Sequence, residues 1–125
     1  MNLNTARVFV RDLAQAEAFY ARAISLPLRA GGAGQGFCLF AAGNTQLIVE
    51  AVAPGAPEDE QRLVGRFTGL SFAVPSVEAT YRELLAQGVR FIEAPETQPW
   101  GGVLATFQDP EGNAFQLAQY PTGAA

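Results

Sequence analysis

The sequence predicts an α+β fold built from two βαβββ modules whose curved mixed sheets surround a shared cleft. Three observations predict it. The first is a closing hairpin, in which apolar residues 103–107 and alternating residues 114–119 flank Asp109-Pro110-Glu111-Gly112. That turn carries its own mechanism: Asp accepts hydrogen bonds, Pro presets φ, and Gly accepts left-handed geometry. The second is that the strand–helix–strand–strand–strand order of residues 5–52 recurs over residues 67–119. The third is that marker residues recur at matching places: Val10 with Val74, Asp12 with Ser76, and Gly43-Asn44 with Gly112-Asn113. Neither half is long enough to bury a four-stranded sheet by itself, so the two are expected to share one structure.

Residues 5–10 read as a strand, and Asp12 follows as an N-cap with Gln15 at capping-box spacing. Leu13, Ala16, Phe19, Tyr20, Ala23 and Ile24 form one helical apolar face, and Pro27 stops the helix. Residues 28–30 form a short strand, and residues 31–36 a glycine-rich loop. That loop lacks the following helix and the Lys-Ser/Thr of a phosphate cradle. Residues 37–41 and 45–52 pair through a turn at Gly43-Asn44. The Pro-rich, charged residues 54–66 are the linker, with Glu58-Asp59-Glu60 a solvated run. The second module begins with a strand over residues 67–74. Ser76 caps a helix whose apolar positions are Val77, Thr80, Tyr81, Leu84 and Leu85, and residues 89–94 form the next strand. The expected organisation is a single domain of residues 1–125 with pseudo-repeats at about 1–53 and 67–121.

With 49% apolar and 16% charged residues, the chain has ordinary globular composition and can bury a core. A net charge of −4 without a basic patch argues against nucleic acid. No run reaches the roughly 18 apolar residues of a membrane span, and no basic-then-apolar leader opens the chain, so the expected location is cytoplasmic. The single Cys38 lies in an apolar strand and is expected to be a buried, inert thiol. Histidine is absent. This excludes Ser/His and Cys/His nucleophilic arrangements and any imidazole-based zinc site.

Residues 10–20, Val-Arg-Asp-Leu-Ala-Gln-Ala-Glu-Ala-Phe-Tyr, resemble the first strand-to-helix signature of the vicinal oxygen chelate superfamily. That superfamily contains glyoxalases, extradiol dioxygenases, fosfomycin-resistance enzymes and bleomycin-resistance proteins. Gln98-Pro-Trp-Gly101 followed by Asp109-Pro-Glu-Gly-Asn113 resembles its last hairpin, most closely in bleomycin-resistance-type members. The resemblance spans nearly the whole chain. It implies four metal-ligand positions in the enzymes, one per strand, usually His or Gln, Glu, His and Glu. Carried over, they fall on Thr5, on or beside Glu50, on Gly69 and on Gln116. Only Glu50 is a good ligand among them. The expectation is therefore no metal, no cofactor and no catalytic residue.

What the resemblance then implies is a small-molecule binding protein, holding a ligand such as an antibiotic stoichiometrically as a homodimer. The alternatives are a metal-dependent lyase, isomerase or dioxygenase with a degenerate site, and a dimeric interaction module without a ligand. The candidate ligand-binding residues are Glu50, Gln116, Trp100, Phe40, Phe107 and Thr5. Glu50 could hold a cationic group or act as a base. Gln116 could hydrogen-bond a ligand. Trp100, between Pro99 and Gly101-Gly102, could stack on a planar one. Phe37 and Phe40 must face opposite sides of their strand. Phe72 and Phe107 read first as core, with Phe107 kept as a possible wall. Arg7 and Arg90 read as surface charge and Tyr120 as an edge seal. The expected partner is a planar or cationic small molecule.

Overall fold

Period-two burial shapes the first sheet. The computed structural model describes residues 1–122. Strands β1 (Thr5–Val10), β2 (Leu28–Gly32), β3 (Phe37–Ala42) and β4 (Thr45–Ala51) form a mixed sheet in the order β1-β4-β3-β2. β1 and β4 run parallel, and the remaining pairs are antiparallel. Val8 and Val10, Cys38 and Phe40, and Leu47 and Val49 are buried. They turn toward α1 (Leu13–Ala18), which contributes Leu13 and Ala16. Tyr20, just beyond it, places its ring 5.8 Å from that of Phe40. The intervening residues of the same strands occupy the other face.

Asp12 caps α1 as predicted, its Oδ1 accepting from Gln15 N at 3.0 Å. The reciprocal arm of a capping box is missing. The Asp12 N–H donates instead to Glu111 Oε2 at 2.8 Å, and Arg11 N donates to both carboxylate oxygens of Glu111 at 2.8 Å. The expected single helix through Ile24 divides in two. A π-helical turn, Phe19–Ala23, follows α1, with Ile24 N donating to Phe19 O at 3.2 Å. The helix has ended before Pro27: Ser25 stands at φ 57°, and Leu26 N reaches back to Tyr20 O at 2.9 Å. The glycine-rich stretch is also more ordered than a loop. β2 runs to Gly32, and a 3₁₀ turn spans Ala33–Gln35. Within the stretch expected as a linker lies a short exposed helix, α2 (Glu58–Gln61).

The second sheet repeats the first strand for strand. β5 (Phe67–Ala73), β6 (Arg90–Thr97), β7 (Val103–Gln108) and β8 (Ala114–Gln119) follow the order β5-β8-β7-β6, with β5 and β8 parallel. Its core is aromatic. Phe107 and Phe115 are stacked with centroids 5.6 Å apart, and Phe72 lies 5.5 Å from Phe115. Phe91 joins this cluster to α3 (Val77–Ala86) through an edge contact with Tyr81 at 4.7 Å. Ser76 caps α3 through a bond from Ala79 N at 3.1 Å. Of the helix positions expected to be apolar and inward, Val77 and Leu84 are buried, whereas Leu85 is exposed. β6 continues beyond the expected residue 94 to Thr97 and carries Pro95. An edge strand tolerates a proline, because its outer N–H groups have no ladder partner.

By contacts the chain divides into two units. One comprises Met1–Arg66 with Pro110–Asn113, and the other Phe67–Asp109 with the described residues that follow Asn113. The hairpin turn between β7 and β8 thus belongs to the first unit. Asn113, 1% exposed, explains why. Its Oδ1 accepts from Gly65 N at 3.0 Å and Arg66 N at 3.4 Å, and its Nδ2 donates to Phe9 O at 2.9 Å. A buried donor or acceptor left unmatched costs about 1–3 kcal/mol. Asn113→Ala should therefore destabilise the protein by about 3 kcal/mol. The exposed counterpart Asn44→Ala should stay within about 0.5 kcal/mol of wild type. Urea unfolding checks both, with a lowered midpoint and unchanged slope expected for the first alone.

Candidate functional site

The first sheet turns a defined set of side chains away from α1. Uninterrupted register aligns Phe9 on β1 with Glu50 on β4, and Glu50 with Phe37 on β3. The next row on the same face is Arg7, Ile48 and Leu39. Glu50 is thus flanked by aromatic residues on the two neighbouring strands, which run about 5 Å away on either side. Phe37 is 37% exposed, and Phe9, Ile48 and Leu39 are half-buried. These two rows are mainly apolar, with one carboxylate between two aromatic residues and Arg7 in the row beside it. Arg7 Nε lies 3.5 Å from Glu50 Oε1, the side chains being 52% and 44% exposed. A pair this open is worth about 0–1 kcal/mol.

Thr5 shares the face but not the location. It lies opposite Gln46, four residues before Glu50 along β4, or about 13 Å away. It is exposed, and its hydroxyl donates to Asn4 Oδ1 at 2.9 Å. Phe40 belongs to the opposite face, fully buried against Tyr20. Phe37, not Phe40, is the aromatic residue of β3 that lies beside Glu50.

In the second sheet, Gln116 stands in a polar row formed by Ser71, Gln116, Thr106 and Glu93, on the side opposite the phenylalanine cluster. Thr106 Oγ1 donates to Glu93 Oε1 at 2.8 Å. Phe107 is fully buried in that cluster. Trp100 is 48% exposed on its loop, and its ring centroid is 5.9 Å from that of Tyr120, itself 60% exposed. Tyr120 is thus an aromatic partner of Trp100 rather than an edge seal. Gly102 makes this arrangement possible: a Cβ there would lie 1.8 Å from the indole ring. Arg90 donates to Gln108 Oε1 at 3.2 Å.

The donor set does not fit a catalytic metal. Gly69 has φ 73° and lies where the β5–β8 register slips between Phe67 and Ser71. Thr68 Oγ1 bridges the irregularity, donating to Ala114 O at 2.8 Å and accepting from Leu70 N at 3.1 Å. This position is chosen for backbone conformation, which a β-carbon opposes. Thr5 is out of register with Glu50, and Gln116 is a neutral amide. Among the described residues, no three acidic or cysteine side chains gather at one point.

One carboxylate went unread in the sequence. Glu17 Oε1 accepts from Ala33 N at 2.8 Å and from the Cys38 thiol at 3.6 Å. It joins α1 to the glycine-rich turn. Burial, then the Glu17 charge, then the hydrogen bond to Glu17 push the Cys38 thiol up to about 11. Phe9 carries no signal of its own in the sequence; the parallel β1–β4 register is what places it beside Glu50.

Two outcomes follow from this geometry. Gly69→His should lose about 1–3 kcal/mol of stability from the forced left-handed conformation, measured by urea unfolding. Cys38 should resist a disulfide reagent at pH 8 in the folded protein and react fully after unfolding. Because its thiol titrates higher when folded, its stabilising contribution is complete below the ordinary thiol range and is lost as pH rises toward 11.

The Glyoxalase/Bleomycin resistance protein/Dioxygenase superfamily profile matches residues 2–117. Among solved structures, a superfamily member from Sphaerobacter thermophilus DSM 20745 is similar at 27% identity and TM-score 0.77, over 95% of this chain and 97% of that one. TnmS3, an antibiotic binding protein from Streptomyces sp. CB03234, is similar at 27% identity and TM-score 0.77, over 96% of each chain. Lactoylglutathione lyase from Agrobacterium tumefaciens shares the fold at 18% identity and TM-score 0.72, over 94% of this chain and 92% of that one. No curated protein sequence matches. With the profile covering nearly its whole length and the two mixed sheets in place, the chain belongs to the Glyoxalase/Bleomycin resistance protein/Dioxygenase superfamily.

Proposed function

We propose that this chain is a small-molecule binding protein that holds a planar ligand, such as an antibiotic, without metal chemistry. One observation carries the reading: the first sheet presents Phe9, Phe37, Leu39 and Ile48 around Glu50 on the face its helix leaves open. Such a surface gives a flat molecule apolar contact and one charged anchor, the usual composition of a ligand site. The likeness to an antibiotic binding protein supports this reading. So does the poor fit of Thr5, Gly69 and Gln116 to a metal. Trp100 and Tyr120 supply a second exposed aromatic surface, where stacking adds about 0.5–1.5 kcal/mol per pair. The proposal includes a homodimer, which sedimentation at low micromolar concentration tests.

The function is tested with a panel of planar antibiotics, both cationic and neutral, by equilibrium dialysis and thermal unfolding. A true ligand at a hundred times its Kd should add about 2.7 kcal/mol to stability and raise the midpoint by several degrees. Metal analysis of protein purified without chelator accompanies it. Stoichiometric, tightly held iron, nickel, manganese or zinc would replace this proposal with the enzymatic one, and so would turnover of a compound that it binds. A panel without a single ligand rejects it.

A further inference from the structure

We propose that the Phe9–Glu50–Phe37 row is the seat of an organic cation, and that the Arg7 guanidinium is the placeholder a ligand displaces on entry. The inference rests on the binding function proposed above and names the ligand class: a flat molecule of two or three fused rings carrying a protonated amine or other organic ammonium. A carboxylate between two aromatic rings attracts a cation twice over, by its charge and by the negative faces of the rings. The row spans three strands, about 10 Å, the length of a tricyclic system. Ile48 and Leu39, one row further along, give such a system an apolar floor. The chain's net charge of −4 favours the approach of a cation.

Arg7 shows what the seat accepts. Its Nε–Oε1 separation of 3.5 Å is longer than the 2.7–2.9 Å typical of a charge-assisted hydrogen bond, and both side chains reach solvent. The guanidinium is loosely held and close enough to compete. A ligand cation must exchange with it, so Arg7 sets a threshold that weakly bound or uncharged molecules do not cross. The two residues then have opposite effects on affinity, although they form one ion pair.

The experiment titrates the intact protein with proflavine, a tricyclic cation at neutral pH, and with acridone, its neutral three-ring counterpart, reading dye fluorescence anisotropy. Proflavine should bind wild type, and Glu50→Gln should weaken it about tenfold. Arg7→Gln should tighten it about threefold or more by removing the competitor. Phe37→Leu reads the aromatic wall without touching charge and should weaken proflavine severalfold. Acridone affinity should not respond to Glu50→Gln or Arg7→Gln. The inference is overturned if neither wild type nor Arg7→Gln binds proflavine, if Glu50→Gln binds it unchanged, or if Arg7→Gln weakens it. If panel antibiotics bind while these substitutions leave every affinity unchanged, this inference fails and the binding function stands. If nothing binds, both fail.

Discussion

The side-chain amide of Asn113 is the contact on which the first unit depends most. A backbone carbonyl at the end of β1 and two N–H groups after α2 would lose their side-chain partner if it were absent. One residue type meets all three, because asparagine offers a donor and an acceptor on a short arm. Two residues earlier, Glu111 does the same for the start of α1, giving its carboxylate to Arg11 N and Asp12 N. A helix N-terminus favours negative charge, so the carboxylate also complements the helix dipole. The turn that reads as a hairpin closure is therefore the polar anchor of a helix and a strand distant in sequence.

Much of the architecture was legible because it follows from local rules. Alternation gave the strands, Asp12 and Ser76 gave the helix starts, and the repeated turn residues gave the two modules. What escaped depends on contacts between distant segments. Nothing in residues 19–25 signals a π-helical turn, since the apolar spacing of a helix continues through it. Gly31 and Gly32 look like loop residues until the pairing with β3 and the Glu17 carboxylate give that stretch its structure. Gln15 sits at capping-box spacing, but Glu111 satisfies the Asp12 N–H from a hundred residues away.

The candidate site was legible in part for the same reason. Glu50 stood out because the resemblance carries a ligand position onto or beside it, and it is the one good ligand among the four. Its neighbours did not, because cross-strand register cannot be read from one strand. Phe9 and Arg7 on β1, and Phe37 on β3, gain their meaning only from pairing with β4. Gly69 is the instructive case: judged as a ligand position it is simply a missing side chain, while its positive φ identifies it as a backbone requirement.

The close approach of Trp100 to Gly102 bears on how this loop can vary. The indole fills the volume that any side chain at position 102 would need, so the two positions are not independent choices. A search for altered ligand preference that randomises position 102 alone will return almost entirely glycine. Shrinking residue 100 does not release position 102, because a Cβ there would still lie 2.6 Å from the backbone carbonyl oxygen of Gln119, so variation in this loop has to come from position 100.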